Sequence, residues 1–591
     1  MKWIFWCWLS LVLVQLNDCQ CFGCHEEERL ALLKLKTSFY PDKSYAPPSW
    51  EDDDSDCCAW ENVVCDKETK QVSKLFLNSS WDPLEVYEDV NLDATLFLPF
   101  KDLTSLNLSS NMFSGLADND GTRNFVFSVY HFRILFCCCE IGRRFKYSFF
   151  SNSLRSTGFE RLSKLNKLRF LDLSGGYFND SILAHVGAIS SLTTLYLASN
   201  LMTGATHFQE LAALSNLEEL DLSENLLESF MEIQGLKKLS KLKVLNLNSN
   251  KLNMSTLLSL GNLHSLKRLY INHNSLEGSI TIDGLNSLRN LEVLDVSSSN
   301  ICSNFLQVLE YMISLKGLSL RDNSLNATLD LLGLCKLRDL EELDISHNSF
   351  KGTIPSCVET LTSLRVLDIS RNRFSGNISS SFISNLISLE FLSLSHNVFQ
   401  SLAPFSSIAN HSKLEVFELI GDNNGLMVEI DDHNWVPRFQ LKIFRLSGCS
   451  VDEGSMFKFL SYQYDLRVID LSDNNLEGDF PTWLMENNTR MVELHLKNNS
   501  FKGQFPLPCR PSTFISVVDI SNNQLQGHIP SNISVYLPNL KFLNLSTNSF
   551  KGSIPSSFGD MKICSFWTCQ TMNSWETYLI AWSLAAFFCM L

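Results

Sequence analysis

The stretch Leu340–Ser363 reads LEELDISHNSFKGTIPSCVETLTS and decides the fold. Its first half is L-x-x-L-x-L-x-x-N: Leu340, Leu343 and Ile345 alternate as a short strand does, and Asn348 ends it. Its second half, Phe350-x-Gly352-x-Ile354-Pro355, carries a turn, an apolar pair and a proline that stops further pairing. A unit with one apolar edge cannot bury that edge alone, so it must stack on a neighbour.

The neighbours are present. The first apolar residue of the pattern falls at 103, 168, 192, 217, 242, 266, 291, 315, 340, 364, 389, 414, 441, 466, 491, 515 and 540, which makes 17 copies. After the first gap every step is 24 to 27 residues. This is a leucine-rich repeat with one strand per coil. The expected fold is an α/β repeat solenoid, a right-handed curved superhelix with a disulfide-bonded cap at its N-terminal end. Thirteen of the 17 copies keep the asparagine, from Asn111 to Asn548, and its amide is expected to satisfy buried backbone groups at the bend. The exceptions are Gly176, Ser299, Asp422 and Cys449.

Each coil of a solenoid contacts only its neighbours, so 591 residues need not mean several domains. A net charge of −16 argues against nucleic acid, whose phosphates need a basic surface. Residues 1–23 read as a secretory signal: Lys2, an apolar run from Trp3 to Leu16, then small and polar residues. Secretion permits disulfides.

Residues 24–80 form the expected cap. A helical pattern runs from Glu26 to Phe39, and Val72, Leu75 and Leu77 mark a first strand. Cys24, Cys57, Cys58 and Cys65 read as two disulfides with three possible pairings. No paired histidines accompany them, which argues against zinc. The cap sequence C-C-x-W-x-x-V-x-C, together with repeats ending in x-G-x-I-P, resembles the plant-type extracellular leucine-rich repeat proteins. The class most similar is the receptor-like proteins, which have an ectodomain, a membrane span and no kinase. The resemblance covers about 24–121 and 159–562. It implies the pairings Cys24–Cys57 and Cys58–Cys65. Asn62 stands where that family usually has glycine.

Two stretches break the pattern. Residues 81–121 hold the first repeat, but 122–158 have neither repeat pattern nor turn chemistry. Removing those 37 residues leaves a repeat of 28, and the codons of Gly121-Thr122 and Thr157-Gly158 admit a splice donor and acceptor that rejoin in frame. A retained intron or an inserted loop both fit. The array resumes over 159–561. Residues 562–591 form an aberrant apolar tail, where the next repeat is due near 564. Read from the third base of each codon, the same nucleotides admit another repeat in phase, so a frameshift near Lys562 competes with a genuine hydrophobic tail.

No catalytic constellation stands out: there is no phosphate loop, kinase signature, H-E-x-x-H or strand-turn-helix G-x-S-x-G. No cofactor or metal site is expected. The surface on offer is the concave strand face, where residues between the leucines point outward. The column between the second and third apolar positions is mostly Asp, Asn or Ser; its unusual members are Tyr196, Tyr270, Glu418, Arg445 and His495. Arg321, Arg365, Arg371 and Arg467 add positive charge to that face or its edge. Tyr196, Tyr270, Arg321, Glu418, Arg445 and His495 are the candidate ligand-binding residues.

Eleven N-x-S/T sequons, at Asn78, Asn107, Asn179, Asn253, Asn326, Asn377, Asn410, Asn487, Asn498, Asn532 and Asn544, point to a glycoprotein. Cys335 and Cys357 sit one coil apart, and either a bridge or two buried thiols fits. The resemblance implies a peptide, glycan or protein ligand, a partner kinase in trans, and a place at the outer face of the plasma membrane or in the apoplast, in defence or development. A secreted inhibitor of a microbial cell-wall hydrolase and a truncated pseudogene product are the competing readings. Sequencing the mature transcript across codons 115–165 is expected to show the 111 nucleotides that encode residues 122–158 spliced out; their presence in essentially all transcripts makes them a real loop.

Overall fold

The structure is a computed structural model. It describes residues 24–560 and 566–568, apart from 41–45, 51–55, 79–90, 112–114, 118–158, 205–207, 229–237, 262, 279–285, 329–332, 422–424, 430–434 and 452. The signal segment, the 122–158 insert and most of the tail therefore lie outside the described residues. The chain divides into two compact units, residues 1–276 with 283–290 and residues 277–282 with 291–591.

The first unit begins with helix Glu26–Phe39, which buries Ala31, Leu32, Leu35 and Phe39. Strand Val63–Cys65 runs antiparallel to Val72–Phe76, as a cap must before a parallel stack begins. Trp50 is fully buried, stacks on Trp60 at 5.8 Å and donates its indole N–H to the Glu61 carbonyl oxygen at 2.8 Å. The bridges are Cys24–Cys57 and Cys58–Cys65, with Cα atoms 5.6 and 5.4 Å apart. Asn62 has φ of 65°, the left-handed region that glycine and asparagine tolerate best, which explains how it replaces a glycine at this turn.

Parallel strands follow: Ser105–Asn107, Phe170–Asp172, Thr194–Tyr196, Glu219–Asp221, Val244–Asn246 and Arg268–Tyr270. Ser105 pairs directly with Phe170, so the strands on either side of residues 122–158 are neighbours in the sheet.

The second unit holds Val293–Asp295, Gly317–Ser319, Glu342–Asp344, Val366–Asp368, Phe391–Ser393, Val416–Ile420, Ile443–Ser447, Val468–Asp470, Glu493–His495, Val517–Asp519 and Phe542–Asn544, each parallel to the next. All 17 repeat copies thus form their strand. The backbone of Phe566–Thr568 pairs with Phe542–Asn544 at the position where the next coil is due.

A second row of strands lies on the return side. Lys351–Gly352, Arg373–Ile378, Val398–Leu402, Leu426–Val428 and Cys449–Val451 make a five-stranded parallel sheet. Only the first carries the full G-x-I-P motif, and Arg373–Ile378 keeps Gly376-x-Ile378 but has Ser379 in place of the proline, so the motif marks only some of these strands. Gly352 has φ of 87°, which shows why a glycine recurs at this bend.

The interior is a stack of leucines, with Leu195, Leu220 and Leu245 fully buried in successive coils. Such burial contributes roughly 1.5–3 kcal/mol per side chain. The asparagine row links coil to coil. Asn225 Nδ2 donates to the carbonyl oxygens of Leu222 at 3.1 Å and of Leu197, in the preceding coil, at 2.9 Å. Its Oδ1 accepts from the Met202 backbone N–H at 3.0 Å. The same set recurs around Asn250, Asn372 and Asn499.

The residue before each asparagine is left-handed: Glu224 at 52°, Ser249 at 54°, Arg371 at 51° and Asn498 at 55°. Such a conformation costs roughly 1–2 kcal/mol per L-residue, and the amide bonds hold it in place. Where the asparagine is missing, other groups serve. The Ser299 hydroxyl donates to the Ser297 carbonyl oxygen at 2.9 Å, and the buried Cys449 thiol lies 3.3 Å from the Ser447 carbonyl oxygen. Burial pushes that thiol up to about 12.

Cys335 and Cys357 are bridged, with Cα atoms 5.5 Å apart, which joins two successive coils. The long repeat from Leu414 is closed structurally. Trp435 stacks on Phe459 at 5.8 Å, and a Cβ added to Gly448, whose φ is 64°, would overlap the Gly421 carbonyl oxygen.

Asn225→Leu is expected to lower stability by about 1–3 kcal/mol for each buried group left without a partner. Denaturant unfolding followed by circular dichroism checks it.

Candidate ligand-binding face

In a three-residue strand the middle side chain enters the core, and those on either side face outward. The outer column in the first unit is Asn107, Asp172, Tyr196, Asp221, Asn246 and Tyr270, aligned by strand register. The second unit has a column of its own, from Asp295 through Glu418, Arg445, Asp470 and His495 to Asn544.

Most of the acids in these columns are committed to the bend. Asp221 Oδ1 accepts from the Ser223 backbone N–H at 2.9 Å and from its hydroxyl at 2.6 Å. Asp295, Asp344 and Asp519 do the same with Ser297, Ser346 and Ser521. The recurring Asp therefore shapes the turn, and one oxygen of each is unavailable to a ligand. Burial pushes the Asp344 carboxyl above its ordinary value, against the bonds from Ser346.

The candidate residues divide into three kinds. Tyr196 is tied down: its hydroxyl donates to Glu219 at 2.9 Å, and its ring meets Phe170 edge-on at 5.3 Å. Burial, then the Glu219 carboxylate, raise its phenol far above the ordinary range. Glu418 and Arg445 are brought together, adjacent in register and 3.4 Å apart. His495 sits between Asp470 and Asp519 in register, with Nε2 3.3 Å from Glu493. Tyr270 is half-buried at the end of its strand. Arg321 is exposed at the strand exit, outside the column, with Nη2 3.3 Å from His347 Nε2.

One row escaped the reading of the sequence. At the first outward position, Val366, Phe391, Val416, Ile443 and Val468 are neighbours in register on five successive strands, all half-buried. Their signal was present, since each is the residue just before the second repeat leucine or its equivalent. Beside them the charges pair off, Arg365 with Glu390 at 2.9 Å and Lys442 with Glu415 at 2.6 Å. The face thus offers an apolar row between a margin of paired charges and the outer column, where Glu418 and Arg445 pair. Among the described residues there is no cluster fit to hold a metal ion, and no helix is long and apolar enough to cross a membrane.

This architecture defines a leucine-rich repeat protein. A model of the leucine-rich repeat N-terminal domain matches residues 25–66, and leucine-rich repeat models match 338–399, 465–487 and 539–561. Receptor-like protein 14 of Arabidopsis thaliana is 39% identical over 503 residues, 84% of this chain and 42% of that protein. Receptor-like protein 15 of the same plant is 35% identical over 504 residues, 85% of this chain and 41% of its own length. The crystal structure of a TDR receptor superposes with a TM-score of 0.50 at 21% identity, over 81% of this chain and 73% of that one, which shows the shared fold. The chain is a leucine-rich repeat protein similar to these plant receptor-like proteins, and it spans about two fifths of the length of the two relatives described.

A double-mutant cycle on Glu418 and Arg445, read by thermal unfolding, is expected to give a coupling of about 0.2–1 kcal/mol, as for other half-exposed pairs. Single substitutions there then report on binding rather than on folding.

Proposed function

We propose that this chain is the ligand-binding ectodomain of a cell-surface receptor-like protein in defence or developmental signalling, without enzymatic activity, which takes an extended peptide along the strand face of its second unit. The carrying observation is where the sequons fall. From Val293 to Asp519 no outward strand position of the repeat is a sequon asparagine. Asn326, Asn377, Asn410, Asn487 and Asn532 are all exposed and lie on the return segments. Glycans at those five positions cover the return side and leave the strand face as the open surface.

That face is polar at its margins and apolar along Val366, Phe391, Val416, Ile443 and Val468, which suits a chain lying across successive strands. Asn107 and Asn544 are the two sequons on the strands of the main parallel sheet, and each directs its side-chain oxygen into the bend, toward Ser109 and Ser546. Half-buried Asn498 donates to Asp473 and accepts from Asn522. The three disulfides suit an oxidising, secreted setting. Signalling passes to a partner kinase in trans, and the protein works at the outer face of the plasma membrane.

The test uses the full chain secreted from plant cells, immobilised and presented with extracellular peptides or with a pectin-degrading hydrolase. Saturable peptide binding is expected, weakened about tenfold by Ile443→Asp or Arg445→Ala, the size of a lost hot-spot contact. Inhibition of the hydrolase with no peptide binding overturns this reading and makes the chain a secreted inhibitor.

A further inference from the structure

At the strand exits of three successive coils in the second unit stand Arg321, His347 and Arg371. Their backbone is fixed. His347 and Arg371 are left-handed, with φ of 54° and 51°, just ahead of the clamping asparagines Asn348 and Asn372. The His347 N–H donates to the Ser370 carbonyl oxygen at 3.0 Å, the Asn348 N–H to Arg371 at 3.1 Å, and the Arg371 N–H to Ser395 at 2.9 Å. Both arginines are exposed, and His347 is half-buried between their coils.

The charges here differ from the ion pairs on the neighbouring strands. Arg365 and Arg445 each have a carboxylate partner, at 2.9 and 3.4 Å. Among the described residues neither Arg321 nor Arg371 makes an ion pair. Arg321 instead approaches a histidine, at 3.3 Å. The nearby acids are engaged elsewhere: Asp344 and Asp368 bond the backbone of Ser346 and Ser370 at 2.9 Å, and Asp322 accepts from the Ser298 hydroxyl at 3.1 Å.

We propose that Arg321, His347 and Arg371 form an acid-strengthened carboxylate-binding site that takes an aspartate or glutamate side chain of the peptide. The guanidinium fork matches a planar carboxylate and binds it through two parallel N–H bonds. With no anion present, His347 accepts from Arg321 and stays neutral. Burial first, then Arg321 and Arg371, hold its imidazole below the ordinary histidine value, and Asp322 and Asp368 pull the other way without prevailing.

A carboxylate seated between the arginines supplies the missing negative charge and draws a proton onto His347. Linkage then makes the anion bind more tightly as pH falls through the histidine range. The identity of the carrier rests on the peptide reading above; the site itself does not.

The full chain, carrying isotope-labelled histidine, is titrated with sodium succinate at fixed ionic strength. The His347 ring resonance is followed, assigned by its loss in His347→Gln. A saturable shift is expected, with Kd about three- to fivefold lower near pH 5.5 than near pH 7.5, and none in the Arg321→Gln/Arg371→Gln variant, whose melting transition stays unchanged. An equal shift from chloride alone, a Kd that does not fall with pH, or undiminished succinate binding in that variant overturns the site. Tetra-aspartate binding more tightly than succinate supports a peptide carrier. Trigalacturonate binding in its place overturns that carrier, while the strand-face reading remains to stand or fall on Ile443→Asp.

Discussion

The buried asparagine amide that bridges adjacent coils is the constraint on which the rest depends. A three-residue strand followed by a sharp bend leaves carbonyl and N–H groups facing an apolar interior, where an unpaired group is costly. One side chain answers several at once. Asn372 donates to Ile345 of the preceding coil and to Ile369 of its own, and accepts from the Phe350 N–H. Because the clamp spans two coils, it also sets their register, and it holds in place the left-handed residue before it. Ser299 and Cys449 show that another small polar side chain can serve at that spot in place of asparagine.

Register in turn decides what the outward face can be. Once each strand is aligned with the next, identical positions form columns, and a residue's neighbours are set by coil length. The acids of the outer column are largely consumed by the bends they cap, so a count of carboxylates overstates the negative charge open to a ligand. Several charges at the margin pair among themselves, as Arg365 and Glu390 do. What distinguishes this chain is therefore found in the residues that depart from the rule: the Glu418–Arg445 pair, the apolar row around Val416, and Arg321 and Arg371, which make no ion pair among the described residues.

The strand positions were legible because the leucine period is a direct record of burial: all 17 copies of the pattern became strands. The cap helix from Glu26 to Phe39 was legible for the same reason. The Cys335–Cys357 bridge stayed open because spacing alone does not report whether two Cα atoms come within 5.5 Å. The return strands at Val398–Leu402 and Leu426–Val428 were hidden because their pairing comes from neighbouring backbone rather than from a motif. Tyr196 looked like a free contact residue; its bond to Glu219 depends on the two coils' register, which no single repeat displays. His347 belongs to no motif, and only its half-buried place beside Arg321 gives it a distinct chemistry.

The central claim is that the strand face of the second unit, and not its return side, receives the ligand. Hydroxyl-radical footprinting of the secreted chain, with and without the extracellular peptide that binds it, tests this most directly. The account predicts reduced oxidation at Phe391, Val416 and Ile443, with Val398, Met427 and Val535 unchanged on the return side. Protection of Val398 and Met427 with Phe391 and Ile443 unaffected would contradict it.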